Sequence, residues 1–165
     1  MVDVYLNFHF GSNSLGVDNY PETCAKICIE KAKEKNLAKG RALDLGCAVG
    51  RTSIDLASYF SEVVGVDFAS AFIKAAEKNL NENYQDISSK VKFSVGDACN
   101  LNPGLGKFNL IFGGNLIDRL PDPAAFLTSI PNFLESKGVL ILTSPYSWLE
   151  QFTPKDKWVG GYMEN

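Results

Sequence analysis

Apolar residues recur along this chain in two alternating rhythms. Short apolar runs of strand length occupy residues 43–45, 62–67, 91–95, 108–113 and 139–143. Between them the period lengthens to that of a helix. Residues 21–35 place Cys24, Ile27, Cys28 and Ala32 on one face, with lysines and glutamates opposite. Residues 52–60 repeat the pattern, as do 70–80, where Ser70 is the expected N-cap and Phe72, Ile73, Ala76 and Leu80 face inward. A fourth helix is expected over 123–134, with Pro123 in its first turn and Pro131 shortening or kinking it. Strand and helix in strict alternation imply parallel strands joined by right-handed crossovers. The expected fold class is α/β, a doubly wound, Rossmann-like parallel sheet of five strands flanked by helices.

The first strand carries the sharpest chemistry. Leu43-Asp44-Leu45-Gly46-Cys47-Ala48-Val49-Gly50-Arg51 reads as a buried strand that ends in a glycine turn opening onto a helix. The spacing is Asp-x-Gly-x-x-x-Gly, where a dinucleotide fingerprint has Gly-x-Gly-x-x-Gly. The missing middle glycine disfavours a pyrophosphate ligand and a dehydrogenase. The turn suits a smaller ligand whose aminoacyl end lies against bare backbone, with Asp44 near an ammonium group. S-adenosylmethionine has that shape. Glycines that serve conformation alone are the alternative. Asp67 ends the second strand about twenty residues past the turn, where a carboxylate can accept both ribose hydroxyls. Gly96-Asp97-Ala98 closes the third strand, where an acid can accept from an adenine amino group. Gly114-Asn115-Leu116 follows the fourth strand and Ser144-Pro145-Tyr146 the fifth. All lie at carboxyl ends of strands, where open parallel sheets bind ligands. Taken singly, each acid is also a helix cap or turn former.

Composition narrows the class. At 165 residues and 45% hydrophobic, the chain is long enough for one domain with a real core. A net charge of -3 and the lack of a basic stripe argue against nucleic acid as a partner, and Lys31-Ala32-Lys33-Glu34-Lys35 reads as a solvated helix face. No run approaches the roughly 20 apolar residues of a membrane span and no signal peptide opens the chain, so a cytoplasmic location and a small-molecule partner are expected. Cys24 and Cys28 lie one helical turn apart, but with no Cys-x-x-Cys pair and one histidine, Cys24, Cys28, Cys47 and Cys99 read as small buried residues rather than metal ligands.

The order of Leu-Asp-Leu-Gly-Cys, the acid after strand two, Gly-Asp-Ala after strand three and Asn-Leu after strand four resembles a class I S-adenosylmethionine-dependent methyltransferase over residues 41–146. More narrowly, Phe8-His9-Phe10-Gly11, the glycine turn, Gly96-Asp97-Ala98-Cys99-Asn100-Leu101, Asn115-Leu116-Ile117-Asp118-Arg119-Leu120 and Thr143-Ser144-Pro145-Tyr146-Ser147-Trp148-Leu149-Glu150 resemble the methyltransferase domain of ovothiol biosynthesis. The resemblance implies strand order 3-2-1-4-5 and S-adenosylmethionine as cofactor. It implies a cofactor site of Asp44, Gly46, Cys47, Ala48, Gly50, Asp67, Phe68, Asp97, Ala98, Asn115 and Leu116. The acceptor it implies is an imidazole nitrogen of 5-thiohistidine.

Candidate substrate residues follow from position. Arg119 can clamp a carboxylate, or be a surface arginine opening a loop. Tyr146 and Trp148 can wall the acceptor site, or cover the core or the sheet edge. Asp118 can contact a substrate amino group, or cap the next turn. His9, with Tyr5 and Phe10 in an N-terminal lid segment over residues 1–20, is the candidate for steering a proton, or a structural histidine. Asp118, His9 and Tyr146 are thus the catalytic candidates.

The resemblance also has departures. The iron-dependent sulfoxide-synthase part that usually accompanies such domains is missing, and a single histidine could not supply its ligands. Class I enzymes usually add a reversed hairpin after strand five, whereas residues 147–165 read as a tail without two further strands. One domain is therefore expected, with a cofactor-binding core at 21–146 and a fifth-strand edge open to self-association or to completion by another chain. Within the tail, Trp158-Val159-Gly160-Gly161-Tyr162 is a possible flap. Two alternatives accompany the thiohistidine reading: methylation of another small amine, thiol or acid, and a catalytically silent module that binds cofactor or pairs with an enzyme.

Overall fold

The computed structural model describes residues 1–11 and 18–160. β1 (Arg41–Leu45), β2 (Glu62–Asp67), β3 (Val91–Val95), β4 (Phe108–Gly114) and β5 (Leu134–Thr143) form one sheet in the order β3-β2-β1-β4-β5. Every neighbouring pair is parallel. β1 is central, and its register puts Asp44 between Gly65 of β2 and Phe112 of β4. The doubly wound α/β fold expected from the alternation is the one observed.

Alternating strand residues feed two core layers. Ala42, Val63, Leu110 and Phe112 face one layer, and Leu43, Leu45, Val64, Val66 and Ile111 face the other. Both faces are covered, so the central strands read as nearly continuous apolar runs. The first layer is completed by α2 (Tyr20–Glu34) and α3 (Arg51–Leu56), with Leu80 of α4 (Ser70–Asn83); Phe126 of α5 (Pro123–Ser129) packs in the second.

Several boundaries differ from expectation for local reasons. Asn19 caps α2, its Oδ1 accepting from Glu22 N at 3.0 Å. Along that helix Ala25 is buried beside Cys24, Cys28 and Ala32, while Ile27 is 43% exposed. Ser70 is the first residue of α4 rather than its cap, and Ala69 stands in the cap position. α5 starts from Asp122, whose Oδ1 accepts from Ala125 N at 3.0 Å. It gives way at Ile130–Phe133 to a tighter 3-10 turn containing Pro131, which has no N–H to continue the α-helical ladder. Leu134 therefore begins β5 instead of ending a helix. Pairing then slips, from Phe108 opposite Leu134 to Leu110 opposite Val139, through a bulge that holds Lys137 at φ +69°.

At the other end of the chain, the expected lid segment contains a helix of its own, α1 (Val2–Phe10). Residues 12–17 of that segment lie outside the described residues. Among the described residues, β5 pairs with β4 alone and forms an edge of the sheet. No helix among them is long and apolar enough to cross a membrane.

Candidate functional site

The turn after β1 is left-handed at three points, Gly46 (φ +70°), Ala48 (φ +48°) and Gly50 (φ +88°). At Gly50 a side chain is also excluded by space, since a Cβ would lie 2.5 Å from Phe93 Cζ and 3.0 Å from Ala76 Cβ. The turn is tied to β2, because Gly46 N and Cys47 N both donate to Val66 O, at 2.8 and 3.2 Å. Ala48 N donates to Asp67 Oδ2 at 2.9 Å, and Ala69 N donates to Asp67 Oδ1 at 2.8 Å. Backbone thus fixes the Asp67 carboxylate from both sides. Each of its oxygens keeps a second lone pair for a ligand hydroxyl.

Asp44 is 2% exposed and accepts from Ser53 Oγ at 2.6 Å. Burial pushes its pKa up to about 7, the Ser53 hydrogen bond opposes that shift, and the charge of Asp67 adds to it. A cation placed beside Asp44 would restore its charge. The pKa of the Cys47 thiol, also buried, is pushed well above its ordinary value by the same desolvation, which disfavours the thiolate.

α1 closes over this turn and is held at its C-terminus. Asn19 Nδ2 donates to Phe8 O at 3.0 Å and His9 O at 3.1 Å, and Arg51 Nη1 donates to His9 O at 3.2 Å. These bonds satisfy carbonyls that a helix end leaves without partners. Arg51 is itself braced by Asp55 at 2.7 Å and Glu22 at 3.0 Å. Tyr5 packs on Phe72 of α4, ring centroids 4.6 Å apart. His9 is 7% exposed, and among the described residues its Nδ1 has no hydrogen-bond partner. Burial, and then the Arg51 charge, lower its pKa to about 4, so the imidazole is neutral at ordinary pH.

Together these elements enclose a cavity of about 460 Å³ at the carboxyl ends of β1, β2 and β4. That is within the range of about 300–1,000 Å³ usual for small-molecule sites. Of the residues singled out from sequence, His9, Asp44, Gly46, Cys47, Ala48, Asp67, Asn115 and Leu116 line it. So do Tyr20 and Thr52, which sequence reasoning did not select, Phe8, quoted only within a motif, and Phe72, expected only to face the core. Val4, Tyr5, Phe8 and His9 recur at helical spacing, a signal that could have marked α1 as a cavity wall. Tyr20 carries no such signal, because its partners are 95 and 123 residues away.

The remaining candidates lie outside the cavity walls. Gly50 turns the chain into α3. Phe68 is 81% exposed, Asp97 is exposed with its Oδ1 accepting from Cys99 N at 2.8 Å, and Ala98 packs into the second core layer. Asp118 has no exposure, and its carboxylate accepts from Ser144 Oγ at 3.0 Å, Ser147 Oγ at 3.2 Å and Arg119 Nη1 at 2.8 Å. Arg119 also donates to Ser147 O at 2.7 Å. This pair knots the segment after β4 to the segment after β5 and lines no wall of the cavity. Tyr146 is 64% exposed at φ +53° and lines no wall of the cavity. Trp148 is buried against Trp158, ring centroids 6.1 Å apart, so it covers the core instead of walling the cavity. Gly161 and Tyr162 of the expected flap lie outside the described residues.

Comparison with known proteins agrees with this geometry. Residues 36–159 match the family described as "Methyltransferase domain". The magnesium-protoporphyrin O-methyltransferase of Rhodobacter capsulatus is 30% identical over 114 residues, covering 68% of this chain and 49% of that protein. The ubiquinone biosynthesis O-methyltransferase of Xanthomonas euvesicatoria pv. vesicatoria (strain 85-10) is 29% identical over 108 residues, covering 66% of this chain and 44% of that protein. This chain therefore spans less than half the length of these two relatives. Among solved structures, an S-adenosylmethionine-dependent methyltransferase from Clostridium acetobutylicum ATCC 824 superimposes with a TM-score of 0.70 at 25% identity, over 85% of this chain and 56% of that one. With a glycine turn, two fixed carboxylates and a cavity at the ends of a 3-2-1-4-5 sheet, and a family match across most of its length, the chain belongs to the methyltransferase domain family.

Proposed function

We propose that this chain binds S-adenosylmethionine and transfers its methyl group to a small-molecule acceptor, an imidazole nitrogen of 5-thiohistidine. The observation that carries the reading is the pairing of Asp44 and Asp67, which face one cavity from adjacent strand ends across a left-handed turn. The residues fit the cofactor. Asp44 offers a buried carboxylate to an ammonium group, and Asp67 offers its spare lone pairs to ribose hydroxyls. Gly46, at φ +70°, would place a Cβ 3.2 Å from Leu116 Cδ1, so a bare glycine suits the turn that lines the cavity with Cys47, Ala48 and Leu116. Phe68, Asp97 and Ala98, beyond the cavity at the ends of β2 and β3, are assigned to the adenine end.

When bound, S-adenosylmethionine supplies a methyl group on a positively charged sulfur that departs as a neutral thioether. The protein has little covalent chemistry to perform. Its part is to align the acceptor nitrogen with the methyl carbon and to exclude water. Tyr5, Phe8, His9 and Tyr20 line the side that α1 covers and give a planar ring faces to stack on. As the nitrogen lone pair forms the new bond to the methyl carbon, the bond from that carbon to sulfur would break with its electron pair left on sulfur, and the ring proton would pass to solvent. With a pKa of about 4, His9 is a poor proton sink, and its part is as a neutral ring in the cavity wall. The O-methyltransferase relatives favour an oxygen acceptor as the second reading. Four free cysteines suit a reducing, cytoplasmic setting. The open edge of β5 suits self-association or added strands from another chain, which sedimentation across a concentration series tests.

The experiment is calorimetric titration of the chain with S-adenosylhomocysteine, followed in the same preparation by methyl transfer to 5-thiohistidine. Binding with turnover supports the full reading. Binding without turnover leaves a cofactor-binding domain and sinks the thiohistidine acceptor for this chain. A folded chain that does not bind overturns the proposal.

A further inference from the structure

One polar constellation at the cavity wall has no part in the cofactor reading: Tyr20 and Asn115 line the cavity, and Thr143 bonds to both. Tyr20 Oη donates to Asn115 Oδ1 at 2.9 Å and lies 2.6 Å from Thr143 Oγ1, while Asn115 N donates to Thr143 Oγ1 at 3.2 Å. The directions are forced, because an amide oxygen can only accept. The phenol spends its proton on Asn115, so the Thr143 hydroxyl must donate to the phenol oxygen. The three bonds close a ring that joins the start of α2 to the ends of β4 and β5. Asn115 N also donates to Thr143 O at 2.9 Å, and the residue is held in the left-handed region at φ +52°. Burial pushes the Tyr20 pKa up to about 12, so the phenol keeps its proton throughout the physiological range.

The ring has a consequence for Asn115. With Oδ1 committed to Tyr20, the outward end of the carboxamide is its nitrogen, a double donor with no partner among the described residues. β4 and β5 stand one and two strands beyond β1, about 5 and 10 Å from it. A cofactor held by Asp44 on β1 and Asp67 on β2 leaves the β4–β5 side for the acceptor. We propose that the Tyr20–Thr143–Asn115 ring is a specificity element of the acceptor site, presenting the Asn115 amide nitrogen to an anionic or lone-pair oxygen or sulfur beside the atom to be methylated. The inference rests on the cofactor reading above and moves Asn115, expected at the cofactor, to the acceptor. An acceptor with an ammonium at that point would meet two N–H donors and be rejected.

The test is calorimetric titration of 5-thiohistidine, and separately of histidine, into the chain saturated with S-adenosylhomocysteine, for the parent and for Tyr20→Phe and Asn115→Asp. Tyr20→Phe should weaken 5-thiohistidine by about 3- to 10-fold, and Asn115→Asp by more than about 10-fold, with S-adenosylhomocysteine affinity held within about 2-fold. Equal losses for histidine assign the contact to the acceptor carboxylate, and a loss confined to 5-thiohistidine assigns it to sulfur. Melting curves of both variants separate a merely structural role, which would lower the midpoint and leave acceptor affinity unchanged. That result overturns the inference, as does a loss that falls on S-adenosylhomocysteine instead. A parent chain that binds S-adenosylhomocysteine but neither imidazole overturns the acceptor reading together with this inference. A parent that does not bind S-adenosylhomocysteine overturns the proposed function at its root.

Discussion

Asp44 is drawn two ways, for burial favours its neutral form while the ligand proposed for it needs a charge. Its pKa rises from the ordinary 3.8 to about 7, so between those values the folded chain holds more protons than the unfolded one. Stability without ligand should therefore fall as pH rises from 4 to 7 and level off above that. Urea midpoints across that range should show the slope, and Asp44→Asn should flatten it. For Asp67→Ala the expected outcome is a loss of about 1–3 kcal/mol in S-adenosylhomocysteine binding, read by calorimetry. Both acids were legible in the sequence, because strand ends and glycine spacing are local signals. The parts played by Asp118 and Arg119 were not. Their partners Ser144 and Ser147 lie 26 to 29 residues further on, so only the folded chain reveals that these side chains are already committed.

Among the elements, α1 and the turn after β1 can each be tested through one residue that supports it. Arg51→Gln should remove one of the two donors to His9 O near the end of α1, together with the brace to Asp55 and Glu22. Hydrogen exchange should then quicken over Val2–Phe10 while the strands keep their protection. Gly50→Ala combines left-handed strain with a Cβ against Phe93 and should cost about 2–4 kcal/mol in denaturant unfolding. The strands and α2 to α4 were readable because their apolar periods are long enough to count. The region from 129 to 139 was not. There Pro131 ends a helix early and a bulge resets the register, and neither event leaves a periodic trace.

At the scale of the molecule, the sheet order places both acids, the glycine turn and the acceptor-side ring along one rim. A ligand that bridges them should stabilise the whole fold. At 100-fold above its dissociation constant, S-adenosylhomocysteine should add about 2.7 kcal/mol, a rise of roughly 5–10 °C in the thermal midpoint. Asp44→Asn should show less of that rise. The topology was legible because strict alternation of strand and helix leaves few right-handed arrangements. The cavity walls were less so: a lid over residues 1–20 was expected from position, but the part of Tyr20 depends on tertiary packing. The raised pKa of Asp44 also enters the heat of binding. Below pH 7, a cationic ligand that recharges this carboxylate expels its proton into the medium. The apparent enthalpy should then change with the ionisation heat of the buffer, and the slope of that dependence counts the protons released per cofactor bound.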